Sequence, residues 1–365
     1  MTSASQEPQG AHSTIDAAGA SSEAAREALA SGESLAGEGR RLEAIELLTK
    51  ANRRERDPAI ETRLVRLRNE AYEKLDRSPR ESPWPDGDPL PLNGSGSLPE
   101  ISGEDLRPEV VREHILRYGC AYIPGLLSGD RVEQLIEGID RAFEGHGQHF
   151  PRREDASPPD TGPWYVPFEP TDGQPINQTR AWVRQGGGVW TVESPRTMFD
   201  FLESLEEAGL RSLIQDYLGE RPAMTLKKST LRRTPVLPRA DWHQDGAFLG
   251  EGIRTINLWL SLSHCGDDAP GLDLVPRRLD RIVETGTAGA FFDWSVGQDT
   301  VKDTAEAAGV PILRPIFEPG DGLLFDELFL HRTATDESMS RERYAIENWF
   351  FAPSLYPGDQ IPFVW

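Results

Sequence analysis

Residues 254–263 read RTINLWLSLS and alternate in the manner of a β-strand. One face of such a strand carries the aliphatic residues Ile256, Leu258 and Leu260. The other face carries Asn257, Trp259 and Ser261. Similar short apolar runs, bounded by Gly, Pro and Asp, continue from about residue 222 to the end, among them AMTLKKSTLRR, GLDLVP, GDGLLFDELFLHRT and RYAIENWFFAP. Short strands separated by turns predict a β-sandwich or barrel.

Helical patterns precede these strands. Apolar residues recur at helical spacing in PEVVREHILRYG, SGDRVEQLIEGIDRAF and PRTMFDFLESLEEAGLRSLIQDYLG. We therefore expect residues 101–365 to form one mostly β domain buttressed by helices. The segment 79–100 is dense in Pro, Gly and Ser, which predicts a linker before that domain.

The N-terminal part of the chain has a different pattern. Residues 1–33 are rich in Ser, Ala, Gly and Glu, and we expect them to be disordered or weakly helical. Residues 34–78 predict a helical hairpin, in which Ala44, Leu48, Ala51 and the following Pro58 resemble a degenerate tetratricopeptide unit. One such unit cannot bury its own faces, so it is expected to pack on the main domain or on a protein partner. The alternative is an ordinary helical extension.

Composition limits the classes of function. A net charge of -21 at pH 7 argues against general binding to nucleic acid or to anionic membranes. No run of about 18 apolar residues occurs, and the N-terminus lacks the pattern of a signal peptide, so we expect a cytoplasmic protein. With only Cys120 and Cys265, neither a disulfide framework nor a cysteine zinc site is supported.

A candidate metal site begins in the stretch WHQDG, residues 242–246. On a strand, His243 and Asp245 would point to the same side while Gln244 faces away. His331, at the end of the apolar run ELFLH, supplies a third ligand from another strand. Two imidazoles and one carboxylate on one side of an octahedral ion leave the opposite positions open. Ferrous iron needs those positions for an organic co-substrate and O2.

An arginine follows the second histidine at a useful distance. Arg343 stands at the start of RYAIENWFF, and its guanidinium could hold the distal carboxylate of a 2-oxo diacid whose other end chelates the metal. The competing interpretation is a surface arginine within the charged run SRER, where Arg341 is a second candidate.

These segments together resemble the phytanoyl-CoA dioxygenase family of Fe(II)- and 2-oxoglutarate-dependent oxygenases. The likeness covers roughly residues 105–360, through WHQDG, NLWLSLS, APGLDLVPRR, PGDGLLFDELFLHRT and RYAIENWFF. It implies a double-stranded β-helix, which is a jelly-roll or cupin-like barrel. It also implies that His243, Asp245 and His331 bind iron. Because RYAI matches the family's Arg-x-Ala pattern, it favours Arg343 over Arg341 as the 2-oxoglutarate anchor.

The same resemblance assigns further positions. It places Trp259 next to the co-substrate, implies that Thr333 bonds the same carboxylate, and explains Asn257 as part of a polar face lining the site. The family commonly has Gly-Ser-His after the GLDLVP strand, whereas this chain has Arg277, Arg278 and Leu279, which could alter the substrate edge. Related halogenating enzymes replace the carboxylate with a small residue. The retained Asp245 therefore favours hydroxylation, or a related desaturation or epoxidation, with release of succinate and CO2.

The substrate is less defined by the sequence. A small metabolite or acyl-type compound fits the breadth of the family. Aromatic and basic residues of the loop-rich segments could form a pocket for an acidic substrate, or could simply pack a lid: Trp164, Tyr165, Trp182, Trp190, Trp294, Arg180 and Arg184. Two other functions stay open, a zinc-binding jelly-roll hydrolase and a non-catalytic metal-binding adaptor.

Overall fold

A computed structural model describes residues 21–78, 81, 84, 88–92, 98–150, 159–171, 173–238, 240–250 and 252–365. The α-helices in these ranges are α1 Glu23–Gly37, α2 Arg41–Arg54, α3 Pro58–Ala71, α4 Pro108–Tyr118, α5 Gly129–His149, α6 Asn177–Gln185, α7 Pro195–Glu207, α8 Leu210–Leu218, α9 Gly246–Leu249 and α10 Gln298–Ala308. The strands are β1 Cys120–Ile123, β2 Gly188–Trp190, β3 Ala223–Thr234, β4 Thr255–Ser261, β5 Leu272–Leu274, β6 Gly322–Phe325, β7 His331–Thr333, β8 Arg343–Phe351 and β9 Pro362–Val364. Helices contain more of the described residues than strands do. The domain over residues 101–365, expected to be mostly β and buttressed by helices, therefore has mixed α and β content.

The strands form two antiparallel sheets. The larger has seven strands in the order β1-β6-β4-β8-β3-β2, with β9 also paired to β3. The smaller consists of β5 and β7. Neighbours in the larger sheet are distant in sequence, so its pairing depends on long-range contacts. The described strands do not close into a barrel, and the jelly-roll remains a prediction.

The two faces of β4 follow the predicted alternation. Ile256, Leu258 and Leu260 pack into the core formed with the helices. Trp259 faces a second core, which includes Phe317 and residues of the small sheet. The alternation prediction for this strand is therefore confirmed. Helices cover one face of the larger sheet. The second core packs against its other face.

The helical layer agrees with the sequence patterns, with one change. The pattern over 195–219 predicts continuous helix, but the chain divides it into α7 and α8. The break lies at Gly209, whose φ of 73° is in the left-handed region that favours glycine. The break lets both short helices press apolar side chains, such as Leu205 and Leu213, into the core of the sheet.

The N-terminal region contains three helices and begins earlier than expected. Helix α1 starts at Glu23, where the Ser22 side chain accepts a hydrogen bond from the backbone N–H of Ala25. The helical region therefore extends to the N-terminal side of residue 34, into a segment expected to be disordered or weakly helical. The Ser22 cap and the packing of α1 on α2 stabilise this segment of modest apolar content. Residues 1–20 lie outside the described residues, so the structure does not test the expectation of disorder for them.

These helices pack on the main domain, one of the two arrangements expected. Helix α3 lies against α7 and β9. Arg68 donates to the carbonyl of Val364 (3.0 Å), and Asn69 donates to the carbonyl of Pro362 (2.8 Å). Arg196 bonds Glu61 at 2.8 Å. The described residues of the segment 79–100 also contact the domain, since the Trp84 indole donates to the Thr255 carbonyl (2.8 Å).

Within the described ranges, no helix combines the length and the apolar character needed to cross a lipid bilayer.

Candidate metal centre

Three of the predicted site residues come together between the two sheets. His243 and His331 face each other in an antiparallel bridge, each accepting the other's backbone N–H at 3.0 and 3.1 Å. Their rings are 4.5 Å apart between centroids, and Oδ2 of Asp245 lies 3.9 Å from Nε2 of His331. One potential ligand atom from each residue lies within 4.8 Å of the others. The arrangement can hold one metal ion.

The local reason for this convergence differs from the predicted one. Asp245 is not on a strand: it has helical angles, φ -64° and ψ -25°, and caps the short helix α9. The turn into α9, rather than strand alternation, aims its carboxylate. Gln244 does face away, but it is more than a spacer. Its amide donates to the carbonyls of Arg281 (3.0 Å) and Leu328 (2.7 Å) and accepts from the N–H of Val283 (2.7 Å), tying two loops to the site.

Hydrogen bonds around the three residues suit metal binding. Nδ1 of His243 bonds the carbonyl of Asp241 at 2.8 Å, and Nδ1 of His331 bonds the carbonyl of Phe329 at 3.0 Å. A ring whose Nδ1 donates to a carbonyl presents a free lone pair at Nε2. Both Asp245 oxygens are buried and accept no hydrogen bond in the described part of the chain. A divalent cation would satisfy these buried acceptors, so the donor set fits Fe(II) or Zn(II).

A lysine lies beside the carboxylate. Of two adjacent lysines on β3, Lys228 is the one that faces the carboxylate. Its Nζ lies 3.7 Å from Oδ1 of Asp245, and burial lowers the pKa of its ammonium group. Lys227 points the other way and donates to the carbonyl of Asp359 (2.8 Å).

Arg343 lies in the second core and is almost fully buried. Its guanidinium sits 5.3 Å above the Trp259 ring and donates to the carbonyls of Pro270 (2.9 Å) and Gly271 (3.1 Å) and to Thr234 Oγ1 (3.0 Å). Burial lowers the pKa of Arg343 to about 10. Its Nε has no hydrogen-bond partner, and among the described residues no carboxylate pairs with it. Such a cation is costly unless an anion reaches it.

The other predicted co-substrate residues share this region. The carbonyl of Gly271 accepts hydrogen bonds from Arg343 and from the backbone N–H of Ala334 (3.0 Å). Thr333 directly precedes Ala334 in the chain, so it lies close to the backbone that Arg343 contacts. Asn257 is fully buried, and neither atom of its side-chain amide is hydrogen-bonded within the described ranges. Arg341, the alternative anchor, is 60% exposed and pairs with Asp268 at 3.3 Å. The geometry therefore separates a buried arginine from a surface one.

A charged pair on neighbouring strands was missed by the sequence analysis. Arg232 of β3 bonds Glu347 of β8 at 2.9 Å. Burial would raise the pKa of Glu347, but Arg232 and Lys228 hold it down to about 2. Alternation along β8 could have indicated an inward Glu347, since it is one of the few charges within an apolar strand.

Most of the aromatic and basic residues suggested for a substrate pocket lie elsewhere. Tyr165 and Trp190 are buried in the helical core, and Trp182 is 55% exposed. Arg180 pairs with the buried Glu193 at 2.8 Å. Of that set, Trp294 alone has a ring contact with a predicted metal ligand among the described residues, at 5.6 Å from His243 between centroids. Of the residues suggested for a substrate pocket, Trp294 is therefore the one that this contact keeps as a candidate.

The two arginines that depart from the family's pattern have structural contacts. Arg278 is buried and forms an ion pair with Asp326. Arg277 donates to the carbonyls of Leu90 and Arg117. Both therefore tie the region behind the metal centre to helix α4 and to the β6–β7 loop.

A second cluster of possible metal ligands lies on the surface. His264 stands between Glu318 (3.0 Å) and Asp267 (2.9 Å), with Asp268 close by. The hydrogen bonds that His264 donates to Glu318 and then to Asp267 raise the pKa of His264. The cluster is exposed and its imidazole is already engaged on both nitrogens, so it is a weaker candidate than the buried one.

Two further histidines lie near the end of a helix. His146 and His149 belong to α5, which ends at His149. His146 packs between Phe150 and Tyr165. Burial, followed by the charges of Arg184 and Arg180, lowers the pKa of His146 to about 4.

This histidine should make stability fall in acid. Between pH 6.5 and about 4 the unfolded chain binds a proton at His146 that the folded chain does not, so the free energy of unfolding falls with falling pH. His146→Gln should flatten that dependence by up to about 1.4 kcal/mol per pH unit, measured by urea unfolding. His264→Gln is the control. The raised pKa of His264 stabilises the fold at low pH, and this effect is lost as pH rises, so its loss should alter the dependence above pH 6.5. An unchanged slope in His146→Gln would contradict the assignment.

A large groove away from the metal centre does not compete with it. This groove, of about 490 Å³, lies between α2, α5 and α7. Its charges are paired with one another: Arg53 bonds Glu203 (2.5 Å) and Glu206 (2.9 Å), and Arg131 bonds Glu207. The groove therefore lies where the N-terminal helices contact the domain, and its charged side chains hold the two together.

Comparison with known proteins gives only distant likenesses. No protein-family model matches the chain, and no curated protein does. EctD from S. alaskensis with 2-oxoglutarate and 5-hydroxyectoine is 16% identical, with 68% of this chain and 78% of that chain covered and a TM-score of 0.46. EvdO2 from Micromonospora carbonacea var. aurantiaca complexed with 2-oxoglutarate is 16% identical over 74% and 96%, with a TM-score of 0.45. AviO1 from Streptomyces viridochromogenes Tue57 is 18% identical over 69% and 98%, with a TM-score of 0.42. Because these identities and TM-scores are low, the assignment of a function depends on this chain's own side chains.

Proposed function

We propose that this protein is an Fe(II)- and 2-oxoglutarate-dependent dioxygenase with a jelly-roll domain of the phytanoyl-CoA dioxygenase type. The observation that carries the proposal is the buried Asp245 carboxylate, which accepts no hydrogen bond among the described residues and faces two imidazoles with free Nε2 atoms. The buried Arg343, which pairs with no carboxylate among the described residues, supports it further. A metal and a dicarboxylate would satisfy both features.

Each residue has a role in this proposal. His243, Asp245 and His331 would hold the iron from one side and leave its other positions free. When bound, iron with 2-oxoglutarate supplies O2 activation coupled to formation of succinate and CO2. Arg343 would bind the distal carboxylate of 2-oxoglutarate, with Thr333 donating to the same group. Trp259 would pack against the co-substrate, and the amide of Asn257 would face the site from the inner face of β4.

The retained carboxylate indicates the type of reaction. Asp245 fills the position that a halide would otherwise need, so the proposed outcome is hydroxylation of a small-molecule or acyl-type substrate. The buried second core around Trp259 and Phe317 excludes water from the co-substrate side.

The test is an anaerobic titration of the metal-free protein with Fe(II) and then 2-oxoglutarate, followed by visible absorption. Chelation of 2-oxoglutarate to protein-bound iron is expected to produce a metal-to-ligand charge-transfer band that iron alone does not give. Tight zinc binding that is indifferent to 2-oxoglutarate, with no such band, would contradict the proposal and favour a zinc hydrolase. Absence of metal binding would favour a non-catalytic adaptor.

A further inference from the structure

A row of aromatic rings runs from the metal centre toward solvent. Trp294 contacts the His243 ring and lies 5.3 Å from Phe248 between centroids. Phe292 stacks on Trp294 at 4.7 Å with an interplanar angle of 7°, and Phe291 beyond it is 52% exposed. Phe248 stands three residues after Asp245, on α9. The rings therefore line one side of the candidate metal centre, with Phe248 also packed against the second core.

The loop that carries these rings is held in place by the segment that carries the metal ligand. One carboxylate oxygen of Asp241 accepts from the backbone N–H of Phe291 (2.6 Å) and from Ser295 Oγ (2.8 Å). The carbonyl of the same Asp241 bonds Nδ1 of His243 (2.8 Å). The rings are thus fixed relative to the metal ligands before anything binds, which reduces the entropy lost on binding.

A positive charge lies at the inner end of the row. Nζ of Lys228 is 3.7 Å from the centroid of the Phe248 ring, and its side chain is 23% exposed. Glu347 attracts both Lys228 and Arg232, but its direct ion pair is with Arg232, at 2.9 Å. When Asp245 binds iron, as the proposed function requires, its charge is shared with the metal, and Lys228 becomes available to an anion from outside.

We propose that the substrate presents a planar apolar ring system to Phe248, Phe292 and Trp294 and an acidic group to Lys228. This inference depends on the proposed function, because the metal centre defines where the reacting carbon must lie. Parallel stacking of Phe292 on Trp294 shows that flat faces align here, and offset stacking favours a flat partner over a saturated ring. The cation selects a carboxylate over a neutral substituent.

The test uses 2-naphthoate as the probe, bound anaerobically to protein saturated with Fe(II) and 2-oxoglutarate and followed by calorimetry. Saturating 2-oxoglutarate occupies Arg343, so the probe cannot bind there. Cyclohexanecarboxylate keeps the acid but lacks the planar ring, and 2-naphthamide keeps the ring but lacks the charge. Both are expected to bind more weakly than 2-naphthoate.

Variants separate the two parts of the proposal. Phe292→Leu and Trp294→Leu should each weaken 2-naphthoate binding about 3- to 10-fold. Lys228→Met should weaken 2-naphthoate and leave 2-naphthamide unchanged, whereas Lys227→Met, the neighbouring outward lysine, should change neither. The charge-transfer band, recorded for every variant, shows whether the metal centre is intact.

Two results would overturn the inference. One is a failure of the ligand comparison, seen either as the absence of 2-naphthoate binding or as equal affinity for 2-naphthoate and cyclohexanecarboxylate. The other is unchanged binding in both Phe292→Leu and Trp294→Leu. Failure of the proposed function gives a different result, since wild type would then show no charge-transfer band at all.

Discussion

Replacing Asp245 with Asn is expected to abolish metal-dependent stabilisation while leaving the metal-free protein folded. The metal-free carboxylate is buried and accepts no hydrogen bond within the described ranges, with Lys228 and His331 as its ionic neighbours at 3.7 and 3.9 Å. Neutralising it removes a buried charge, and the partly exposed Lys228 that loses this neighbour can still be hydrated, so the free energy of unfolding without metal should stay within about 1 kcal/mol of wild type. Wild type should gain about 2.7 kcal/mol at a metal concentration 100 times its Kd. The variant should gain almost nothing, because loss of a ligand costs at least about 100-fold in affinity.

The measurement is urea unfolding with and without Fe(II) under anaerobic conditions. Asp267→Asn serves as the matched control, because Asp267 belongs to the exposed cluster around His264. It should retain the full metal-dependent gain. If Asp267→Asn loses the gain and Asp245→Asn keeps it, the metal binds at the surface cluster and the assignment of the buried centre is wrong.

Replacing Arg343 with Met is expected to weaken 2-oxoglutarate binding severely while iron binding persists. Removing one partner of a buried, hydrogen-bonded charge pair costs about 2–5 kcal/mol, which corresponds to roughly 30- to 4000-fold in Kd. Arg343 is buried beside Trp259 and lacks an internal carboxylate among the described residues. Kd for 2-oxoglutarate, read from the charge-transfer band of the Fe(II) protein, is the quantity to measure.

Arg341→Met is the natural control for that variant. Arg341 lies two residues earlier, is 60% exposed and pairs with Asp268, so its loss should change the Kd less than twofold. The reverse result, with Arg341→Met weakening 2-oxoglutarate and Arg343→Met leaving it unchanged, would move the anchor to the surface. Equal, small effects in both variants would show that neither arginine binds the co-substrate.

Several predicted features depended on short-range pattern and agree with the structure. The alternation of β4 places Trp259 opposite Leu258, since side chains of a strand point to alternate faces whatever the sheet order. Helices α4 and α5 follow their apolar periodicity. His243, Asp245 and His331 were chosen by residue type and spacing, and the structure brings them within ligand distance of one another.

Other features failed where several elements compete for the same residues. Asp245 was expected on a strand, but the chain turns into α9 at this residue. Gly246 then passes so close to Glu327 that a Cβ would lie 3.2 Å from that residue's carbonyl oxygen. The N-terminal helical region begins earlier than composition suggested, since the Ser22 cap and the packing of α1 on α2 stabilise its first helix. The local sequence pattern does not show which other segments of the chain will pack against a residue.

The sequence by itself determined the helices α4 and α5, the alternating faces of β4 and the identity of the candidate metal ligands. These follow from side-chain periodicity and from the donor atoms that a residue type carries, both of which are local properties. Only the tertiary structure decided that Lys228 rather than Lys227 faces the metal centre, that Arg343 is buried while Arg341 is exposed, and that Trp294 is the loop aromatic beside His243. Those choices depend on which distant strands and loops pack together, and long-range packing is set by the whole core.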